Sequence, residues 1–590
     1  MLSTDVLIVG GGPTGMVAAL ALHRLGVATR IVERQPGLHV HPKAHELSGR
    51  SIEILGGLGV GFDELAAPAS PAADAARILF CETLGREFGA IDLQRLPDAD
   101  KYQRHLPTPA AYLNVSQVEL EKILVAHVRA RGIDLRHGHT WRGLTQDDQG
   151  VVSEVEAAGE ALQIRSRYVI AADGAASRVR AALAIHMIGP DKLRDFVSAS
   201  FEADLSDLVA TRGKLYFLFT PAAPGVLIAH HVERRWVYHT VVSTPHERVE
   251  DLTPDTMLAR LRAALGGADV DLEITSMSPW RMTAQVADRF RAGRVFLAGD
   301  AAHRFPPTGG LGMNSGIADA FNLAWKLAAV VQGRAADGLL ESYELERRPV
   351  VQQMCDESRA NFERMDELIH AFGLDPSVID RIAARFASGP LSRLPARVRA
   401  WVRRQIDRYG ASRIARVRSR PEVTRRVQAA IERQIPHFDR LGLDLGLAYA
   451  RGALVADGSP APTNPDPIRT YVPTTRPGAR FPHFWLDAAA ERSSRELVDY
   501  AHFTLVLGSR CAALTDERAA LDAAAARLGV QLHGLPDDPD VHRHAEIEPD
   551  GALLVRPDGH VAWRQSAGVR PNAALLDAIV GPLLHPSPGA

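Results

Sequence analysis

The chain opens on Asp5-Val6-Leu7-Ile8-Val9-Gly10-Gly11-Gly12-Pro13-Thr14-Gly15, an apolar run that ends in glycines spaced Gly10-x-Gly12-x-x-Gly15. Val6 to Val9 reads as a buried strand, Met16 to Leu25 as a helix, and Ala28 to Glu33 as a second strand. Strand, glycine turn, helix, strand is a βαβ opening. Its first glycine permits the tight turn, its second lets a pyrophosphate approach bare backbone, and its third lets the helix pack on the strand. The helix N-terminus then offers unpaired N–H groups and the positive end of its dipole to an anion. Glu33 ends the second strand 18 residues after Gly15, where a carboxylate accepts hydrogen bonds from a ribose. The stretch predicts an α/β chain that binds a dinucleotide.

Bulk properties narrow the class. At 590 residues the chain exceeds the size of one growing core, so two or three domains are expected. Its 68 basic and 70 acidic residues nearly cancel, which excludes a global field for nucleic acid or anionic lipid. No apolar run reaches the roughly 18 residues that cross a bilayer, so no membrane span is expected. The start, Met1-Leu2-Ser3-Thr4, lacks a signal-peptide pattern. Cys81, Cys355 and Cys511 are few and far apart, which points to a reducing cytoplasm. The Arg-rich run Arg397 to Arg404 reads as the solvated face of a helix in preference to a nucleic-acid patch.

Two further motifs follow strands. Ala171-Ala172-Asp173-Gly174-Ala175 comes after Tyr168-Val169-Ile170, and by itself Asp-Gly there is an ordinary turn. Gly293 to His303, with Gly299-Asp300 at its centre, continues into Pro306-Pro307-Thr308-Gly309-Gly310-Leu311-Gly312-Met313-Asn314. Here a strand ends on a carboxylate, and a Pro/Gly loop precedes a helix expected over Gly316 to Val331. That helix would point its dipole at a reduced isoalloxazine.

The three motifs, in this order, resemble the class A flavoprotein monooxygenases, the family of para-hydroxybenzoate hydroxylase and phenol hydroxylase. The segment His437 to Gly458 and the ending Ala552 to Arg564 look more like the longer phenol, hydroxyphenylpropionate and polyketide hydroxylases. The resemblance implies a Rossmann-like FAD-binding domain (1–75, 105–185, 280–355) and an inserted antiparallel-sheet substrate domain (76–104, 186–279). A helical connecting segment (356–455) and a thioredoxin-like C-terminal domain (456–590) follow, and lone Cys511 makes the last structural instead of redox-active. It places Glu33 and Arg34 on the adenosine side, Asp173 and Asp300 on the cofactor, and Pro307, Gly310, Gly312, Met313 and Asn314 around the flavin. Gln117 matches a glutamine over the FAD diphosphate or ribityl chain. Lys43-Ala44 stands where the family writes Arg-Ala; a lysine lacks the bidentate fork, and Arg50 is the candidate replacement.

The family chemistry implied is hydride transfer from NADPH or NADH to FAD, reaction with O2 to a C4a-hydroperoxide, and oxygen transfer to an electron-rich ring carbon. No second Rossmann fingerprint marks a nicotinamide domain, and no residue selects between the two donors. His45 is the candidate base for a phenolic proton. Phe217, Trp280, Met282 and Pro307 join it as candidate substrate contacts; which of Tyr216, Phe217, Tyr238 and His239 look inward depends on register. His39, His41 and His45 match no zinc spacing, and flavin chemistry needs no metal. A homodimer is a further family expectation. Alternatives are a Baeyer-Villiger or decarboxylating oxygenation on the same scaffold and, in another class, a non-catalytic FAD-binding interaction protein. The paired-tryptophan signature of flavin halogenases is missing.

Overall fold

The computed structural model describes residues 1–41, 44–96, 108, 112–242, 248–375, 395–513 and 518–586. The first sheet runs Arg291–Ala292, Val295–Leu297, Glu160–Ala171, Leu2–Val9, Thr29–Glu33, Asp134–His137. All its pairings from Val295–Leu297 to Asp134–His137 are parallel. The hairpin His139–Asp147 and Gly150–Ala157 extends Glu160–Ala171. Helix Pro13–Arg24 leaves the glycine loop with Pro13 in its first turn, where the missing N–H is not needed. It packs against helix Leu311–Val331, which is buried nearly all round. That helix starts five residues before the expected Gly316. Gly309 to Gly316 is rich in loop-forming types, but Asn314 Nδ2 donates to Gly310 O (2.8 Å) and Ser315 Oγ to Leu311 O (2.8 Å), so these side chains turn back onto the first turn. Gly310 caps it in the left-handed region, at φ 61°.

The second sheet has seven strands, Glu273–Met282, Arg194–Glu202, Arg235–Val241, Gly225–His231, Leu215–Leu218, Arg77–Cys81 and Glu87–Asp92. It is antiparallel except where Leu215–Leu218 runs parallel to Arg77–Cys81. Strand alternation separates its faces. Tyr216, Tyr238, Trp236 and Phe201 enter a core with helix Pro254–Ala264. Ile78, Phe80, Leu215 and Ile228 on the other face meet Ile414, Val417, Val427 and Ile431 of helices Ala396–Ser419 and Pro421–Glu432. Arg404 and Arg408 lie on the exposed side of that helical segment.

The third sheet, Val530–Gly534, Phe503–Leu507, Ala552–Val555, Val561–Gln565, has one parallel and two antiparallel pairings. Helices Arg518–Leu528 and Ala573–Leu584 pack on each other beside it, the thioredoxin-like pattern. Cys511 is buried there with its Sγ 3.3 Å from Val569 O, and burial pushes its thiol up. This C-terminal unit is joined to the first by ions taken out of water. Arg556 donates to both Glu346 oxygens (2.7 and 2.9 Å) and to Asp558, while Lys326 Nζ and Asn322 Nδ2 reach Glu346 Oε2 at 2.8 and 2.7 Å. Burial alone would raise the Glu346 carboxyl; Arg556 and Lys326 overcome it and hold it at about 2. No described helix is long and apolar enough to cross a membrane.

Candidate active site

The ends of three parallel strands carry the motifs side by side, because Val9 pairs with Ala171 and Ala171 with Leu297. Ligands of open α/β sheets bind outside such carboxyl ends. Gly10 has φ 115°, and a Cβ there would lie 2.1 Å from Ala172 O; one on Gly15 would lie 2.0 Å from Gly10 O. Gly12 differs, since a Cβ on it would meet nothing within 4 Å. Gly299 and Gly316 close on Thr14, in the first turn of helix Pro13–Arg24, their added Cβ atoms falling 2.7 and 2.4 Å from its Oγ1. The Gly10, Asp173 and Asp300 turns therefore meet around one space.

The residues fit a dinucleotide in that space. Gly12 presents bare backbone, and Asp173 Oδ1 is buried without a donor among the described residues, while Oδ2 accepts from the Arg178 amide at 2.8 Å. Burial raises the Asp173 carboxyl. Glu33 accepts from the amides of Gly11 (2.7 Å) and Gln35 (2.8 Å), and Arg34 and Asp300 are exposed. The Gly299 turn is held from behind by Asp319, which accepts from the Gly299 amide (3.1 Å), from Arg347 Nε (2.8 Å) and contacts His303 Nε2 (2.7 Å). Burial opposes that charge, but His303 and Arg347 keep the carboxyl at about 2. Asp319 lies inside a helix with no motif to flag it.

Other expected cofactor residues are placed differently. Asn314 makes four bonds inside the protein, to Glu46 O, Gly310 O, the Ser48 amide and Ser51 Oγ. That fills its side chain's capacity and leaves only its backbone for a ligand. Gln117 donates its amide to Ala44 O (2.7 Å) and its side chain to Glu121 Oε1 (2.8 Å). Arg50 is turned away, into the C-terminal interface, bonding Glu53 (3.2 Å) and Asp558 O (2.5 Å), so it does not replace the missing arginine. Lys43 lies outside the described residues. Gly312 and Met313 are half-buried in the first helical turn, and Pro307 is exposed with its carbonyl accepting from the Gly310 amide at 3.0 Å.

The second sheet faces this region. Register puts Trp280 opposite Phe196, and Ser198 opposite both His239 and Ser278. Phe196 stacks on Trp280 (4.5 Å, 7°), and His239 meets its edge (5.7 Å). Phe217 shares the face but stacks on Phe80 (5.3 Å) and meets Phe438, so it belongs to the core with the helical segment. Met282 is buried. Tyr216 and Tyr238 point the other way, into the second core. The three loop histidines part company: His39 pairs with Glu121 (3.1 Å), His41 bonds Ser276 and Ser198 (2.9 and 2.8 Å), and His45 bonds Asn114.

His45 Nδ1 lies 2.8 Å from Asn114 Oδ1. The amide orientation is set by its other end, because Asn114 Nδ2 donates to Ser70 Oγ (2.8 Å) and Ala229 O (3.3 Å), and Ser70 Oγ donates to His230 O (2.8 Å). An amide oxygen only accepts, so His45 carries its proton on Nδ1 and its lone pair on Nε2. No described residue bonds Nε2. Burial lowers the His45 pKa against the opposing pull of Glu46 and Asn114, which keeps the ring neutral. Next in sequence, Glu46 is clamped by Lys214 Nζ (2.6 Å) and Arg440 Nη2 (2.7 Å), and a Cβ on Gly310 would fall 2.4 Å from its Oε2. His45 is thereby tied to the Pro/Gly loop. Asn114, Lys214 and Arg440 carry no sequence signal; they arrive by contacts 69, 168 and 394 residues away.

Replacing Asn114 with alanine should lower kcat/KM for a phenol about tenfold by freeing the tautomer. Asn114→Asp should recover the rate and move the acid limb of the pH profile upward, since a carboxylate favours imidazolium. An unchanged profile in both variants removes the role.

The chain matches the family model described as FAD binding domain over residues 3–358 and the model described as aromatic-ring hydroxylase, C-terminal, over 474–582. It is 30% identical to phenol 2-monooxygenase of Pseudomonas sp. (strain EST1001), over 98% of this chain and 93% of that protein. It is 32% identical to a putative polyketide hydroxylase of Streptomyces coelicolor, over 98% and 96%. The crystal structure of the flavin-dependent monooxygenase PieE in complex with FAD and substrate superposes with a TM-score of 0.86 at 33% identity, covering 99% of both chains. Three turns meeting on one dinucleotide space, an appended thioredoxin-like unit and similarity along the whole length agree: the chain belongs to the FAD-dependent aromatic-ring hydroxylases.

Proposed function

We propose that this enzyme hydroxylates a phenolic or polyketide-type aromatic substrate, using NADPH or NADH and O2, with His45 as the base for the substrate hydroxyl. The observation that carries the proposal is the His45 imidazole, fixed by Asn114 with Nε2 unprotonated and tied through Glu46 to Gly310. FAD, when bound, supplies hydride acceptance and the activation of O2. Gly10, Gly12, Gly15, Glu33 and Asp300 would hold it, and Asp173 Oδ1 would take a donor from it. His45 Nε2 accepts the phenolic proton and raises electron density on the ring. Trp280 and Phe196 give the ring an apolar wall that limits water. A homodimer and a cytoplasmic location belong to the same proposal, the latter supported by three free, buried cysteines.

The test is purification of the FAD-loaded protein and a screen of phenols and polycyclic quinones. The expected result is NAD(P)H oxidation stimulated by substrate and coupled to a product heavier by one oxygen atom. Bound FAD with no stimulation by any phenol would overturn it.

A further inference from the structure

Beside the base stands a carboxylate that stability alone does not explain. Glu46 is buried, and a buried ion set is often no more stable than apolar side chains of the same volume. Its two oxygens are held from two separate units: Lys214 Nζ, next to strand Leu215–Leu218, donates to Oε1 (2.6 Å), and Arg440 Nη2, from the connecting segment, donates to Oε2 (2.7 Å). Glu46 is also the register partner of Asn114, where strands Glu46–Leu47 and Leu113–Asn114 pair antiparallel. One short ribbon therefore carries both the amide that fixes the His45 tautomer and a carboxylate gripped from two sides.

The charges around the imidazole are unevenly matched. Lys214 and Arg440 both disfavour a protonated His45, and Glu46 pulls the other way. His230, whose ring lies 5.9 Å from that of His45, and His239 act on it from the sheet, but burial lowers both to about 3 and leaves them neutral. His437, in the field of Arg440 and Glu46, is lowered by burial to about 3 as well. Tyr112 accepts from Lys214 Nζ (2.9 Å), and burial keeps its phenol protonated. Asp444 lies 3.7 Å from Arg440 Nε, and burial raises its carboxyl to about 6. A neutral imidazole that takes a proton near two fixed cations is disfavoured unless an anion is held close to it.

We infer that Glu46 is a positioning residue of the reaction: gripped by Lys214 and Arg440, its carboxylate stabilises the imidazolium that His45 becomes on taking the substrate proton. The proton leaves the substrate hydroxyl for His45 Nε2, giving phenolate and imidazolium, while Glu46 stays ionised. Burial would raise the Glu46 carboxyl, but Lys214 and Arg440 overcome it and hold it well below the usual range. The inference rests on the proposed role of His45 as the base.

The test is an NMR titration of FAD-loaded enzyme carrying isotope-labelled histidine, in which the His45 signal is the one missing from His45→Gln. Glu46→Gln removes the anion and should move the His45 titration about one unit to lower pH. Lys214→Met removes a cation, leaves Glu46 its bond to Arg440, and should move it about one unit to higher pH. The acid limb of kcat/KM for phenol should follow in each variant. Damage to the fold would instead expose the ring and carry both variants upward, toward ~6.5. That result, or a titration unmoved in both, overturns the inference. Should Glu46→Gln not take up FAD, the double variant Glu46→Gln/Lys214→Met, which loses one charge of each sign, decides: a titration close to wild type supports the inference, and a rise toward ~6.5 overturns it. If His45→Gln abolishes the acid limb but neither Glu46→Gln nor Lys214→Met moves it, the role of Glu46 falls and the hydroxylase proposal stands. If the titrations shift as expected while phenol turnover keeps its own profile, His45 is not the base, and that reading falls together with the role of Glu46.

Discussion

Gly12→Val is expected to give a folded but colourless protein. Gly12 has ordinary backbone angles, φ −76° and ψ −178°, and a Cβ there meets nothing within 4 Å. The apo fold therefore tolerates the branched side chain. The space it fills is the one a diphosphate needs against bare backbone. FAD affinity should fall by more than about a thousandfold, some 4 kcal/mol, with the apo melting temperature nearly unchanged. Gly10→Ala should behave in the opposite way, because its Cβ would collide with Ala172 O at 2.1 Å in a left-handed backbone. Loss of the fold itself is expected there. Flavin absorbance and thermal melting of the two variants separate the cases, and a yellow Gly12→Val protein would show that the diphosphate lies elsewhere.

His45→Gln should lower kcat for a phenol on the order of 10²–10³-fold with little change in FAD content. Glutamine fills similar space and can still bond Asn114, but it carries no basic lone pair at neutral pH. Because burial holds the His45 pKa below its usual value, the wild-type rate should rise through a pKa under ~6.5 and then stay level. The variant should lose that limb and gain rate toward pH ~10, where a phenol ionises unaided. A wild-type profile retained in the variant would remove His45 from the chemistry.

How much of this was legible in the chain differs by interaction range. Gly10, Gly12 and Gly15, Asp173 and Asp300 each follow a strand, and local pattern locates them because a parallel sheet aligns strand ends. The same locality failed at Gly309 to Gly316, where Asn314 and Ser315 look like loop residues yet close a helical turn through their own carbonyls. Sheet faces were open at Tyr216, Phe217, Tyr238 and His239, since alternation says which residues share a side but not which side meets the loop. Arg50 and Gln117 show a further limit: their side chains are claimed by Asp558 and Glu121, partners that no motif around them names. Asn114 is the costliest omission, for it fixes the proton on His45 from 69 residues away.

The ion cluster of Glu346, Lys326, Arg556 and Asp558 has a bearing on how such chains can recombine. Removing one member of a buried ionic set strands the others without a counter-charge, at about 3–5 kcal/mol. A chimera that exchanges the tail for that of a cousin must carry both halves of the cluster across the splice. The last hundred residues are therefore bound by inheritance to the flavin half, although they form a layer of their own.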